Sequence, residues 1–248
     1  MKRVTFEKID KLGSRADEAY KTLRTNLLFC GKSTKAVSFT SCLPNEGKTT
    51  VVFQLALSMA ELGKKTLLID ADIRKSVLAS RYQADQRTKG LSEYLSDQAE
   101  LEECIYRSNL ENLDVFFTGK TAPNPSELLS GEKFKQLIQK MKERYDYVLI
   151  DCPPLGNVID AAVVSAATDG AILILESGNV NRKFASEVKN QLLRSGCKIL
   201  GVVLNKVNIK GKGYYGYGYY SKKYKKYYGY GGYYGEYFNS EPESDVKK

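Results

Sequence analysis

The sequence of 248 residues contains no histidine. General-base catalysis must therefore fall to carboxylates or lysine, and histidine-ligated metal chemistry is excluded. Cysteine is sparse: the five residues stand singly, without CxxC spacing and in odd number, so they indicate neither a disulfide framework nor a zinc site and fit a reducing cytoplasm. No signal peptide opens the chain, and no apolar run approaches the length of a membrane span. We therefore expect a cytoplasmic protein whose membrane role, if it has one, comes through a partner or a charged surface.

What is present supports one catalytic domain followed by a tail. Hydrophobic residues make up 42% of the chain, which is long enough to bury a full core. Over residues 1–208, buried-strand patterns alternate with helical ones. This alternation predicts an α/β fold of the P-loop NTPase type, with a mostly parallel sheet covered by helices on both faces.

Residues 37–50, VSFTSCLPNEGKTT, organise the rest of the chain. They read as a buried strand, a phosphate-binding loop and a helix start, in which Lys48 reaches the β and γ phosphates and Thr49 holds Mg²⁺. Cys42 occupies the place of the first glycine of the usual loop motif, so a plain helix start with a solvated lysine is the alternative. The predicted ATP contacts in the loop are Glu46, Gly47, Lys48, Thr49 and Thr50.

Two further buried strands end in carboxylates. The stretch LLIDADIR places Asp70 and Asp72 at one strand end, and YVLIDCPP places Asp151 at another. In a doubly wound sheet ligands bind at this edge, although such residues also serve as turn residues or helix caps. Carboxylates beside a triphosphate suit Mg²⁺ binding and acceptance of a hydroxyl proton. Thr49 and these carboxylates are therefore candidates for a Mg²⁺ site, and the pattern does not separate Asp70 from Asp72 in it.

Residues 14–30 predict an amphipathic helix, because apolar residues recur at helical spacing between positions 20 and 28. The opposite face carries Glu18, Lys21 and Arg24, three residues apart. Two interpretations stay open. The helix is either a surface helix that covers the sheet or an interaction helix.

The segment 209–248 has almost no aliphatic residues but carries twelve of the eighteen tyrosines. Such a composition cannot bury enough apolar surface to offset its ordering entropy, which predicts a flexible tail. Its eight lysines against four acidic residues give a net charge of +4. A low-complexity linker, a single-strand nucleic-acid binder and a phosphoacceptor cluster are all compatible with this composition. The tyrosines are Tyr214, Tyr215, Tyr217, Tyr219, Tyr220, Tyr224, Tyr227, Tyr228, Tyr230, Tyr233, Tyr234 and Tyr237.

The order of SCLPNEGKTT, LLIDADIR, PNPSELL and YVLIDCPP resembles the bacterial tyrosine kinases (BY-kinases) of capsule and exopolysaccharide synthesis. The likeness covers the chain from Ser14 to Asn205. Partition and septum-site ATPases share the nucleotide motifs but carry a signature lysine where this chain has Leu43. Asn45 replaces the glycine that is usual in the kinase loop.

The resemblance implies an ATP- and Mg²⁺-dependent tyrosine autokinase that phosphorylates its tail between subunits. Lys48, Asp70 and Asp72 become the catalytic residues, with Asp70 chosen as proton acceptor although the pattern does not separate it from Asp72. By the same motif match, Thr49, Asp72 and Asp151 form the Mg²⁺ site. Asn205 is a further candidate for contacting ATP, at the adenine.

The implied partners are a transmembrane polysaccharide chain-length regulator that recruits the kinase to the inner face of the membrane, a phosphotyrosine phosphatase, and other copies of the chain. Glu18, Lys21 and Arg24 align with an ExxRxxR contact motif that is linked to ring-shaped oligomers. Lys21 replaces its first arginine, so we expect a weaker ring or one of different size, because an ammonium cannot make a planar two-point contact.

Two rival functions remain: a ParA/MinD-like positioning ATPase tethered by its tail, and a nucleic-acid adaptor. Leu43 and the tyrosine cluster argue against the first. No nucleic-acid partner is expected, because the kinase motifs favour the phosphoacceptor interpretation of the tail.

Overall fold

Eight strands form a single sheet in this computed structural model, which describes residues 2–9, 11–82 and 89–208. The predicted phosphoacceptor tyrosines lie outside these ranges. The strands are β1 (Lys2–Val4), β2 (Ala36–Ser41), β3 (Thr66–Asp70), β4 (Ile105–Ser108), β5 (Leu113–Phe116), β6 (Tyr147–Asp151), β7 (Gly170–Glu176) and β8 (Ile199–Asn205).

Helices connect the strands and cover both faces of the sheet. They are α1 (Ser14–Leu28), α2 (Lys48–Glu61), α3 (Leu78–Arg81), α4 (Leu91–Leu95), α5 (Leu101–Cys104), α6 (Pro125–Ser130), α7 (Glu132–Arg144), α8 (Asp160–Ala166) and α9 (Arg182–Arg194). One core cluster packs α2 and part of α1 against the sheet, and the other contains residues of α7, α8 and α9. In the described part of the chain, no helix is long and apolar enough to span a membrane.

The strand order is β1-β4-β5-β3-β6-β2-β7-β8, and every neighbouring pair is parallel except β4 with β5. The prediction of a mostly parallel sheet covered on both faces is confirmed. Strands β2, β3 and β6 are buried at every position, as expected for central strands of a parallel sheet that helices cover on both faces. Because β6 lies between β3 and β2, the carboxyl ends of these three strands meet at one edge of the sheet.

Two strands of the sheet were not predicted from the sequence. The strand β1 has three residues and β4 has four, and they pair with each other across about a hundred residues of chain. Runs this short carry no readable periodicity, so only the tertiary pairing defines them.

The helix α1 departs from the sequence prediction in two ways. It ends at Leu28 rather than Cys30, before a turn in which Gly31 has φ 105°, a left-handed conformation that glycine adopts without strain. Lys21 pairs with Asp17 and Glu18 on the outer surface. Arg24, expected on the same outer face, instead donates from Nη1 to the carbonyl and hydroxyl oxygens of Ser58 on α2. Its guanidinium is therefore engaged within its own chain.

Candidate active site

The loop between β2 and α2 has two residues in the left-handed backbone region. Gly47 has φ 87°, and a Cβ added there would lie 2.2 Å from Nδ2 of Asn205, so only glycine fits. Asn45 has φ 65°. That conformation explains why glycine is usual at this position in the resembling family, and asparagine is the side-chain-bearing residue that tolerates it best.

The side chain of Glu46 points into the protein interior, whereas a nucleotide contact was predicted for this residue. Its side chain is fully buried, and its carboxylate accepts hydrogen bonds from the backbone N–H of Leu43 at 2.7 Å and of Glu176 at 2.8 Å. These bonds tie the loop to the end of β7. The side chain of Glu46 therefore fixes the loop from inside, and a contact of Glu46 with ATP stays a prediction.

The last strand also closes on the loop. Asn205 donates from Nδ2 to the carbonyl of Glu46 at 2.8 Å, and Lys206 donates from Nζ to the carbonyl of Asn45 at 2.7 Å. Lys206 also pairs with Glu176 at 3.2 Å. Asn205 thus lies beside the loop backbone in this structure, while its contact with adenine stays a prediction.

Asp151 lies at the carboxyl end of β6 and faces the start of α2. Its Oδ2 accepts a hydrogen bond of 2.6 Å from the hydroxyl of Thr49, and its Oδ1 lies 3.7 Å from Nζ of Lys48. Among the described residues, Oδ1 has no hydrogen-bond partner although it is buried. Burial raises the pKa of Asp151, against the opposing effects of the Lys48 ammonium and the Thr49 hydroxyl.

The second carboxylate pair belongs to β3 and the loop after it. Asp70 is the register partner of Asp151 in the neighbouring strand, and it accepts hydrogen bonds from the Ser76 hydroxyl and the Asp72 backbone N–H. Burial, and then the negative charge of Asp151, raise the pKa of Asp70 to about 8. Asp72 is partly exposed and accepts a hydrogen bond of 3.0 Å from the Lys75 backbone N–H.

These groups fit a magnesium nucleotide. A buried carboxylate oxygen with unused acceptor capacity favours a cation or a further donor nearby. Asp151 Oδ1 accepts no hydrogen bond from the described residues, and the Lys48 ammonium is its ion-pair partner at 3.7 Å. Oxygen donors are those that Mg²⁺ prefers. In the residues that the structure describes, no group of three or more histidine, cysteine, aspartate or glutamate side chains could hold a metal by itself. Mg²⁺ usually takes phosphate oxygens and water as its other ligands.

One buried network near the site was missed in the sequence. Asp160, at the start of α8, is 1% exposed and accepts two hydrogen bonds from Arg74, of 2.6 and 3.1 Å. The hydroxyl of Ser126 donates to the same carboxylate. Through Ser126, the stretch PNPSELL joins α6 to the loop that carries Asp72. In the sequence, the available signal for this network was Arg74, two residues after Asp72.

Comparison with known proteins gives consistent results. A family model described as an AAA domain matches residues 34–195. Tyrosine-protein kinase CpsD of Streptococcus agalactiae is 42% identical over 209 residues, which are 84% of this chain and 91% of that protein. The kinase domain of the Escherichia coli tyrosine kinase ETK superposes with a TM-score of 0.76 at 35% identity, covering 82% of this chain and 80% of that one. The septum site-determining protein MinD of Pyrococcus horikoshii, solved with Mg-ADP, has a TM-score of 0.60 at 29% identity and covers 69% of this chain and 70% of its own.

Proposed function

We propose, from the premise that the chain belongs to the family of bacterial tyrosine kinases of capsule and exopolysaccharide synthesis, that it transfers the γ-phosphoryl group of ATP to tyrosine hydroxyls in its own segment 209–248. The observation that carries this proposal is the buried Asp151 Oδ1 at the mouth of the loop, which accepts no hydrogen bond from the described residues and lies 3.7 Å from the Lys48 ammonium, while Oδ2 accepts from the Thr49 hydroxyl. The similarity to MinD is more distant, and therefore the kinase function is favoured over a positioning ATPase.

The chain's own residues have separate tasks in this proposal. Lys48 neutralises charge on the β and γ phosphates, and the amides around Gly47 hold the phosphate chain against the helix start. Thr49, Asp72 and Asp151 would hold Mg²⁺, with their hydroxyl and carboxylate oxygens as the donors. When bound, Mg²⁺ supplies electrostatic stabilisation of the transferring phosphoryl group. Asn205 is retained as the adenine contact.

The reaction requires a proton acceptor for the tyrosine hydroxyl. The tyrosine oxygen forms a bond to the γ-phosphorus, the bond from that phosphorus to the β,γ-bridging oxygen breaks, ADP leaves, and the hydroxyl proton passes to a carboxylate. We assign the proton to Asp70, which lies at the carboxyl end of β3 as the register partner of Asp151. Asp70→Asn should then reduce kcat at saturating Mg²⁺, whereas Asp72→Asn should raise the Mg²⁺ concentration that is needed.

The decisive variant is Lys48→Met in the full chain. We expect no phosphotyrosine in segment 209–248 after incubation with Mg²⁺ and ATP, with the melting temperature retained, because the change removes a charge from the site and little core volume. Lys183→Met, on the exposed surface of α9, is the matched control. Normal phosphotyrosine in Lys48→Met would overturn the site assignment. Phosphate release without phosphotyrosine in the unaltered chain would favour the ATPase, and salt-sensitive RNA binding alone would favour the adaptor.

We further propose that transfer occurs between subunits of a homo-oligomer, in which Glu18, Lys21 and Arg24 take part. The test mixes Lys48→Met subunits with active subunits that are cut after Ile209. Phosphotyrosine on the inactive subunit supports transfer in trans. Absence of phosphotyrosine on the inactive subunit, together with strong labelling of the unaltered full chain in a separate reaction, would show that each chain modifies itself.

The proposed activator is the cytoplasmic end of a transmembrane chain-length regulator, which would bring this cytoplasmic kinase to the inner face of the membrane. A phosphotyrosine phosphatase would reset the segment. Adding a fragment of the regulator should raise the rate of autophosphorylation, and an unchanged rate would argue against this partner.

A further inference from the structure

Arg81 lies against the first turn of the helix that follows the phosphate loop. Its Nη1 donates a hydrogen bond of 2.8 Å to the hydroxyl of Thr50, and Thr50 is the third residue of α2, two positions after Lys48. Arg81 was not among the residues predicted to contact the nucleotide. Its guanidinium nevertheless reaches the helix start that we assign to phosphate binding.

An aromatic stack holds Arg81 in this position. Tyr82, the next residue, is buried and stacks on Phe53 with ring centroids 3.8 Å apart and an interplanar angle of 18°. Phe53 lies one helical turn after Thr50 on α2, so two consecutive residues contact two residues on the same side of that helix. The stack fixes the backbone of Arg81 beside α2, and the hydrogen bond to Thr50 directs the exposed guanidinium toward the helix start. This placement reduces the entropy that a contact with a ligand would cost.

The charge of Arg81 is unbalanced in the part of the chain that the structure describes. No carboxylate among those residues forms an ion pair with it. The N-terminus of a helix carries partial positive charge, so a cation there is unfavourable without an anion nearby. Lys48 already contributes one positive charge to the same turn. A second cation at this position therefore points to an anionic ligand.

We propose that Arg81 binds the α- or β-phosphate of the nucleotide, on the side of the loop away from Asp151. Consecutive residues of a helix point about 100° apart. Thr49 faces Asp151, where the metal and the γ-phosphate are assigned, whereas Thr50 faces Arg81. In phosphate loops the backbone amides hold the α and β phosphates and the lysine reaches the β and γ phosphates. Arg81 therefore binds a phosphate that ATP and ADP share. This inference rests on the proposed ATP site.

The experiment compares the full chain with Arg81→Gln by calorimetric titration of ATP, ADP and adenosine in the presence of Mg²⁺. Loss of a charged contact to phosphate should weaken ATP and ADP by the same factor, about tenfold, and leave adenosine unchanged. Arg182→Gln, an exposed arginine at the start of α9, is the matched control.

Each other outcome overturns the inference. Unaltered affinities for both nucleotides would show that Arg81 only contacts Thr50. Weakening of ATP alone would place the contact at the γ-phosphate, and weakening of adenosine as well would indicate a general change in the pocket. Thr50→Val supplies a second readout: if Arg81 acts only by holding Thr50, combining Arg81→Gln with Thr50→Val adds no further loss. Failure of the ATP site itself is distinguishable, because the unaltered chain would then bind neither nucleotide.

Discussion

The buried carboxylate of Glu46 gives the sharpest test of how the phosphate loop is held. Glu46→Gln keeps the shape but replaces one oxygen by an amide group that faces a backbone N–H donor. One hydrogen bond to a charged acceptor is lost, which costs about 1.5–3 kcal/mol. The other becomes a hydrogen bond to a neutral acceptor, which is weaker by about 1 kcal/mol. With both bonds at 2.7–2.8 Å and the side chain fully buried, we expect the free energy of unfolding to fall by about 2–4 kcal/mol.

Urea unfolding and thermal melting without nucleotide measure this loss, and for a chain of this size it corresponds to about 4–16 °C in melting temperature. Glu61→Gln, an exposed glutamate at the end of α2, is the control and should melt like the unaltered protein. Nucleotide affinity should fall in Glu46→Gln as well, because the loop loses its link to β7. A melting temperature equal to that of Glu61→Gln would refute the assignment of Glu46 as the internal brace of the loop.

Two further predictions concern stability. Asn45→Ala should destabilise the protein by about 1–2 kcal/mol relative to Asn45→Gly, because φ 65° strains a residue with a plain Cβ; equal melting temperatures of the two variants would contradict the left-handed assignment. Asp169 accepts hydrogen bonds from Lys142 Nζ and from the backbone N–H groups of Lys35 and Ala36. Burial alone would raise its pKa, but these bonds lower the pKa of Asp169 below its usual value. A lowered folded-state pKa gives stability that is present above the unfolded pKa near 4 and lost as pH falls through the folded value. Asp169→Asn should therefore cost about 1 kcal/mol at pH 7, discounted for partial exposure, and less as pH falls below about 4. An equal deficit at pH 7 and pH 3 in urea unfolding would argue against this.

The central sheet was predictable because its strands carry their own signal. Buried parallel strands read as continuous apolar runs, and their polar ends mark the edge where ligands bind, so Lys48, Asp70 and Asp151 could be placed near one another from sequence alone. The strand β7 is likewise an apolar run, bounded by Gly170 and Glu176.

Side-chain direction within the loop was less predictable. Nothing in the spacing distinguishes Glu46 turned inward from Glu46 facing a ligand, because the two backbone donors that it meets come from Leu43 and from distant Glu176. The same limit applies to Arg24, whose partner Ser58 lies 34 residues away, and to Arg81, whose position depends on the stack of Tyr82 on Phe53. Contacts of this kind arise only from tertiary packing.

The position of β6 between β2 and β3 has a consequence for folding during synthesis on the ribosome. Strands β2 and β3 emerge early but are not neighbours, and both wait for β6, roughly 80 residues after the end of β3. At bacterial rates of about 5–20 residues per second, this interval lasts on the order of 4–16 s. Throughout it, each of the two strands has an exposed edge that invites pairing with other nascent chains. The nascent chain should therefore depend on chaperones until residue 151 has left the exit tunnel, and the nucleotide site becomes complete only after that moment.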